Sequence, residues 1–152
     1  MTPATSRGVR LGVDVGSVRI GVARTDPDLI LATPLATVPR DRTDSDDPPS
    51  DMVEIARLAQ ECEAVEIVVG LPVNLAGKEG PAAIATRAYV DRLVTVVDPV
   101  PVRFVDERMS TVAATRRLSE RGVRGRRQRA VVDQAAAVEI LQSWLDAQRR
   151  RI

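Results

Sequence analysis

The stretch that decides the fold is Val9–Arg24, VRLGVDVGSVRIGVAR. Val9–Val15 is an apolar run dense in β-branched residues, so it reads as a buried strand. Gly16-Ser17 supplies a turn, and Arg19–Arg24 reads as the hairpin partner of the first strand. Asp14 breaks the pattern, close to the strand end and bracketed by Gly12 and Gly16. A carboxylate in a strand that otherwise reads as fully buried is costly unless it is paired or bound to a cation. Asp14 is therefore either a cap for the turn or a ligand.

Outward from this hairpin, Leu31–Val38 reads as a third strand between two prolines. Asp41–Ser50 (DRTDSDDPPS) carries four acids and two prolines, and reads as a mobile acidic loop. Met52–Cys62 has helical apolar spacing, with Ser50 or Asp51 as its cap. Val65–Leu71 is the most strand-like run and ends at Pro72; a loop from Asn74 leads to Pro81, which opens a helix to about Val97. Pro101–Asp106 is another strand, and Ser110 caps a helix through about Arg121, ended by Gly122. After an Arg-rich loop, Ala130–Arg149 forms a last helix with Ala136, Ala137, Ile140, Leu141 and Trp144 on one face. An antiparallel meander continued by βα units predicts an α/β fold, a mixed sheet with helices on both faces. No repeat or second boundary interrupts residues 1–152, which read as one domain with flexible ends at 1–8 and 150–152.

Composition removes several classes of function. The 152 residues contain no histidine and one cysteine, Cys62. No Ser-His-Asp or Cys-His nucleophile and no His/Cys zinc site can be built from them. Polar catalysis must then fall to carboxylates, with a hard oxygen-seeking cation such as Mg²⁺ or Mn²⁺. No secretory signal or membrane-spanning run is visible, and the single cysteine suits a reducing cytoplasm.

The net charge of +1 conceals an asymmetry: residues 1–100 sum to −5 and residues 101–152 to +6. Arg116–Arg129 holds seven arginines against one acid, Glu120. Such a run is either a solvated surface or a phosphate grip, for which arginine is the better-suited cation. Arg124, Arg126, Arg127 and Arg129 are the candidate nucleic-acid contacts.

Two further carboxylates stand out. Glu107 follows a strand end, and Asp133 lies on the apolar face of the last helix, three residues before Ala136. Asp133 is either a ligand or a structural partner, for instance of Arg129. Strand ends and a helix start can converge at one edge of an α/β sheet. Asp14, Glu107 and Asp133 meeting there would hold one or two divalent ions, the arrangement used on phosphodiesters.

Four blocks resemble the YqgF (RuvX-type) family, whose members are described as Holliday-junction resolvases and pre-16S rRNA nucleases. They are Asp14–Ala23 (DVGSVRIGVA), Val68–Pro72 (VVGLP), Asp106–Thr111 (DERMST) and Val132–Ala136 (VDQAA). The spacing Asn74…Gly77…Gly80-Pro81 is similar too. The resemblance implies an RNase H-like fold, with sheet order 3-2-1-4-5 and the second strand antiparallel. It implies catalytic, metal-binding carboxylates at Asp14, Glu107 and Asp133. The related bacterial junction resolvases carry an acid at the end of the fourth strand, where this chain has Val69-Gly70-Leu71, and a second acid on the last helix, where it has Ala136. The expected site is one ligand poorer, which favours slow or accessory-dependent activity. Arg19 is expected to contact phosphate or order the Asp14 turn, and Arg108 to support the site. Gly16, Gly70 and Pro72 are expected to shape it.

Three functions compete. The first is a metal-dependent nuclease on structured nucleic acid, trimming the 5′ end of pre-16S rRNA or resolving branched DNA. A homodimer goes with the resolvase reading, which needs two sites in symmetry. The second is a non-catalytic nucleic-acid-binding factor in transcription or ribosome assembly. The third, an actin-like ATPase or sugar kinase, needs two domains where this chain has room for one. With Tyr89, Phe104 and Trp144 the only aromatics, and the last two on core patterns, recognition should rest on backbone shape and charge.

Overall fold

A computed structural model of the chain describes residues 6–73, 76–106 and 126–150, with side chains in the last segment from 131 to 149. Three strands come first: β1 (Arg10–Val15), β2 (Arg19–Thr25) and β3 (Ala32–Pro39). They are followed by α1 (Ser50–Glu61), β4 (Glu66–Leu71), α2 (Pro81–Val97), β5 (Val102–Asp106) and α3 (Arg126–Arg150). The five strands form one sheet in the order β3-β2-β1-β4-β5. β2 runs antiparallel to both neighbours, whereas β1, β4 and β5 run parallel. This is the mixed sheet that the sequence and the family resemblance imply.

Alternation along β1 and β4 divides the sheet between two cores. Leu11, Val13, Ile20, Val22, Ile67 and Val69 pack beneath α1 and α2, against Ile55, Leu58, Val90 and Leu93. On the other face Ala23 and Val68 meet Ala136, Ala137, Ile140, Leu141 and Trp144 of α3. Gly12 and Asp14 belong by alternation to this second face.

α3 lies closer to the sheet than a layer of side chains would permit. A methyl group on Gly21 would stand 2.0 Å from the carbonyl oxygen of Asp133. One on Gly12 would stand 2.8 Å from Leu141 Cβ and 3.0 Å from the Ala137 carbonyl oxygen. Asp133, Ala137 and Leu141 form a single row at four-residue spacing, so one ridge of the helix rests on two bare positions of β1 and β2.

Charge secures the opposite end of the sheet. Arg10 and Glu66 open β1 and β4, are almost wholly buried, and pair at 3.2 Å. Arg103 also pairs with Glu66, and the Arg10 guanidinium lies 5.3 Å from the centre of the Trp144 ring. Removing one partner of such a buried pair typically costs about 3–5 kcal/mol, because the other charge is left uncompensated.

The structure departs from the sequence reading at three places. Ser50 and Asp51 are not the cap of α1: the helix begins at Ser50 itself, after Pro49. Asp41 supplies the cap from across the loop, accepting hydrogen bonds from Ser50 N at 2.8 Å and Thr43 N at 2.9 Å. Asp51 in return accepts one from Asp41 N at 2.8 Å. The amides of Ser50 and Thr43 hold the Asp41 carboxyl well below the usual carboxylate range. Second, α3 starts at Arg126 rather than Ala130, so the last part of the Arg-rich segment is helical. No glycine or proline follows Gly125 there, and arginine favours helix whatever its charge. Third, Phe104 is 37% exposed and sits under the Arg87 guanidinium, 5.0 Å from ring centre to cation, rather than in a core.

Gly21→Ala should therefore destabilise the protein by about 3 kcal/mol, since the obstacle is a backbone oxygen that cannot rotate away. Gly12→Ala should cost less, because its nearest obstacles stand at 2.8 and 3.0 Å rather than 2.0 Å. Urea unfolding midpoints of the two variants measure this; a Gly21→Ala protein as stable as wild type would refute the close seating of α3.

Candidate active site

Asp14 is 4% exposed at the second-to-last position of β1, and its register partner on β2 is Gly21. Gly21 is also where the backbone of Asp133 touches the sheet. Two carboxylates separated by most of the chain are thus brought to the same corner, one from a strand end and one from α3.

The turn after Asp14 is closed by a hydrogen bond from Gly16 N to the Arg19 carbonyl oxygen, 3.0 Å. A Cβ on Gly16 would lie 2.4 Å from that oxygen, so the turn needs glycine. From the same residue the Arg19 side chain reaches α3, donating from Nε to Asp133 Oδ2 at 2.6 Å. The two side chains are 28% and 21% exposed. Arg19 therefore closes the Asp14 turn with its backbone and holds Asp133 with its guanidinium. The structural partner seen for Asp133 is Arg19; the side chain of Arg129, considered from the sequence, lies outside the described residues.

A cleft of about 310 Å³ opens at this end of the sheet, where Asp14, Gly16, Gly70 and Pro72 face Ala82 and Thr86 of α2. Two of its lining residues, Arg40 and Arg42, carried no signal in the sequence. Arg40 follows β3 and donates from Nη1 to the Gly16 carbonyl at 2.8 Å. Its guanidinium lies 4.7 Å from the Tyr89 ring centre, with Nε 3.6 Å from Asp51 Oδ2. Arg42 donates to the carbonyl of Ser17. Burial, and then the neighbouring Asp51, pushes the Tyr89 hydroxyl well above its usual range, while Arg40 pulls the other way. A larger cleft of about 630 Å³ lies between β3, the 41–50 segment and α1, but Asp14 does not line it, and Asp133 lines neither cleft.

Glu107, Arg108 and Arg124, the helix expected over 110–121, and Asn74 lie outside the described residues, as do the side chains of Arg126, Arg127 and Arg129. Asp106, which precedes Glu107, pairs in register with Leu71 at the same end of the sheet as Gly70. Among the described residues no three acids, cysteines or histidines are grouped closely enough to hold a metal ion. Nor, among them, is any helix long and apolar enough to cross a membrane.

The RuvX family model, described as Holliday junction resolvase, matches residues 8–147. The chain belongs to the RuvX family. A relative from Rhodococcus opacus (strain B4), named "Putative pre-16S rRNA nuclease", is 56% identical over 146 residues, which span 96% of this chain and 82% of the relative. One of the same name from Mycobacterium ulcerans (strain Agy99) is 54% identical over 149 residues, 98% of this chain and 85% of the relative. Among solved structures, Thermus thermophilus RuvC in complex with a Holliday junction substrate superposes with a TM-score of 0.54 at 14% identity. It covers 95% of both chains. That likeness shows the fold, which is RNase H-like.

The Arg19–Asp133 contact joins β2 to α3 and is more than two-thirds buried on both sides. A double-mutant cycle of Arg19→Gln and Asp133→Asn, followed by thermal or urea unfolding, should give a coupling energy of about 1 kcal/mol. Strictly additive losses would mean that the pair contributes nothing to holding α3.

Proposed function

We propose that this chain is a metal-dependent endonuclease on structured nucleic acid, and that it trims the 5′ end of precursor 16S rRNA. The observation that carries the reading is the meeting of buried Asp14 with Asp133 at one corner of an RNase H-like sheet. High identity to relatives named for pre-16S rRNA directs it to RNA. Resolution of Holliday junctions is the second reading, supported by the description of the family model, and it carries a homodimer with it.

The donor chemistry fits a hard divalent ion, Mg²⁺ or Mn²⁺. Asp14 and Asp133 offer only carboxylate oxygens, and the chain has no histidine to compete. We assign the ligand set to Asp14, Asp133 and Glu107. When bound, such an ion supplies charge stabilisation at the scissile phosphate. The chain's own residues do the rest. Burial keeps Asp14 in one geometry, and Arg19 fixes the Asp133 carboxylate above β2. Gly70 and Pro72 leave the cleft open beside Asp14, with Arg108 in a supporting role. Arg124, Arg126, Arg127 and Arg129 contact the substrate backbone where α3 begins. A reducing, cytoplasmic setting goes with this role and with the lone Cys62.

Cleavage of a precursor 16S rRNA fragment and of a synthetic four-way junction, with Mg²⁺ or Mn²⁺, separates the two readings. Asp14→Asn should abolish cleavage, a loss of at least about a hundredfold, while leaving folding and substrate affinity largely intact. Wild-type rates in that variant would overturn the assigned site.

Replacing Arg124, Arg126, Arg127 and Arg129 by alanine should weaken binding and flatten its dependence on salt, since fewer counterions are released. Titrations at several salt concentrations test this, and an unchanged slope would return the segment to an ordinary solvated surface.

A further inference from the structure

Arg40 and Arg42 enter the cleft beside Asp14 from the far side of the turn, away from the expected Arg-rich contacts at the start of α3. Their circumstances differ. Arg40 is mostly buried and committed: it pairs with Asp51, covers Tyr89 and holds the Gly16 carbonyl. Arg42 is exposed, and among the described residues it makes no ion pair; its contact there is the donation to the Ser17 carbonyl. The adjacent Asp41 carboxylate is held by the amides of Ser50 and Thr43 and makes no ion pair with Arg42 among the described residues.

A guanidinium carries five donors, so one hydrogen bond to Ser17 leaves a charged fork to offer a ligand. That bond also orders the side chain before a ligand arrives, which reduces the entropy lost on binding. The neighbouring wall reinforces the preference for an anion. It is formed by Ala82, Ala85 and Thr86 in the first two turns of α2, where no acid occurs. Apart from Asp14 itself, the lining of the cleft is cationic or uncharged. A buried carboxylate flanked by a fixed cation suits a phosphodiester, with the reacting phosphate near Asp14 and a neighbouring one held at the rim.

We propose that Arg42 is a phosphate-binding residue, held by Ser17, that grips the nucleic-acid backbone one phosphate away from the one cleaved, with Arg40 as the buried post that fixes the turn carrying both. This rests on the nuclease reading and extends it to a second wall of the site. It also makes the 41–50 clasp part of substrate binding, since Arg42 lies just inside the Asp41–Ser50 and Asp51–Asp41 hydrogen bonds.

The test is a binding titration of a fluorescein-labelled precursor 16S rRNA 5′ fragment, and of a four-way DNA junction, between 50 and 300 mM KCl (a range of roughly the span over which counterion release is read). It uses an Asp14→Asn background so that nothing is cut. Arg42→Ala should raise Kd about three- to tenfold and lower the salt slope by about 0.7–0.9, the loss of one phosphate contact. Arg42→Gln, which keeps an amide donor without the charge, should lose the same slope, and Arg42→Lys should restore it. Unchanged affinity and slope in Arg42→Ala would overturn the proposal. So would a loss in Arg42→Ala that Arg42→Gln fully repairs, since Arg42 would then be only a brace for the turn. If the parent protein binds neither probe, the nuclease reading falls and takes the proposal with it; if the parent binds and the Arg42 variants match it, only the proposal falls.

Discussion

The contact on which the rest depends is the seating of α3 on Gly12 and Gly21. Without side chains at those two positions the helix backbone descends until the Asp133 carbonyl and the Leu141 Cβ almost touch the strands. Three consequences follow from that one approach. The second core forms directly between helix and sheet, with the small residues Ala136, Ala137 and Ala23 among its members. Asp133 is delivered to the β2 position that pairs with Asp14. Arg19, opening β2, comes within hydrogen-bond reach of the Asp133 carboxylate. A helix held a side chain's width higher would keep its apolar stripe and lose the corner.

Charged groups have opposite duties at the two ends of the sheet. At the start of β1 and β4, Arg10 and Glu66 neutralise each other in the interior and serve the fold. At the far end Asp14 is buried just before a turn whose Gly16 and Ser17 carbonyls accept from Arg40 and Arg42, and both cations line the cleft beside the acid. Fixed positive groups around a carboxylate suit an anionic substrate, because little reorganisation is needed when the substrate arrives. The clasp between Asp41 and Asp51 joins this arrangement to α1, and Arg92 adds hydrogen bonds to the carbonyls of Ser45 and Asp47. A segment with the composition of a loose acidic loop is therefore fastened at its ends and near its middle.

The elements were legible to within a few residues where periodicity is strong, as in β4, α2 and the apolar face of α3. They were misread where backbone preference and charge pull apart. Four arginines in the six residues 124–129 suggest solvated loop, yet arginine propagates a helix once Gly125 is passed. Ser50 has the chemistry of a cap, but an acid nine residues away reaches the same amide. Phe104 follows a core pattern on a strand that, among those described, stands at the sheet's edge.

By itself the sequence determined that this chain builds a mixed α/β sheet, that nucleophile systems relying on histidine are closed to it, and that Asp14 sits where a buried charge needs a reason. Each of these follows from local pattern or from composition, which need no knowledge of what lies across the molecule. Tertiary structure alone decided that Asp133 answers to Arg19, that Gly12 and Gly21 are the seat of a helix, and that Arg40 and Arg42 belong to the Asp14 turn. Those are contacts between residues far apart in the chain, set by how closely one backbone can approach another, and no spacing along the sequence encodes that distance.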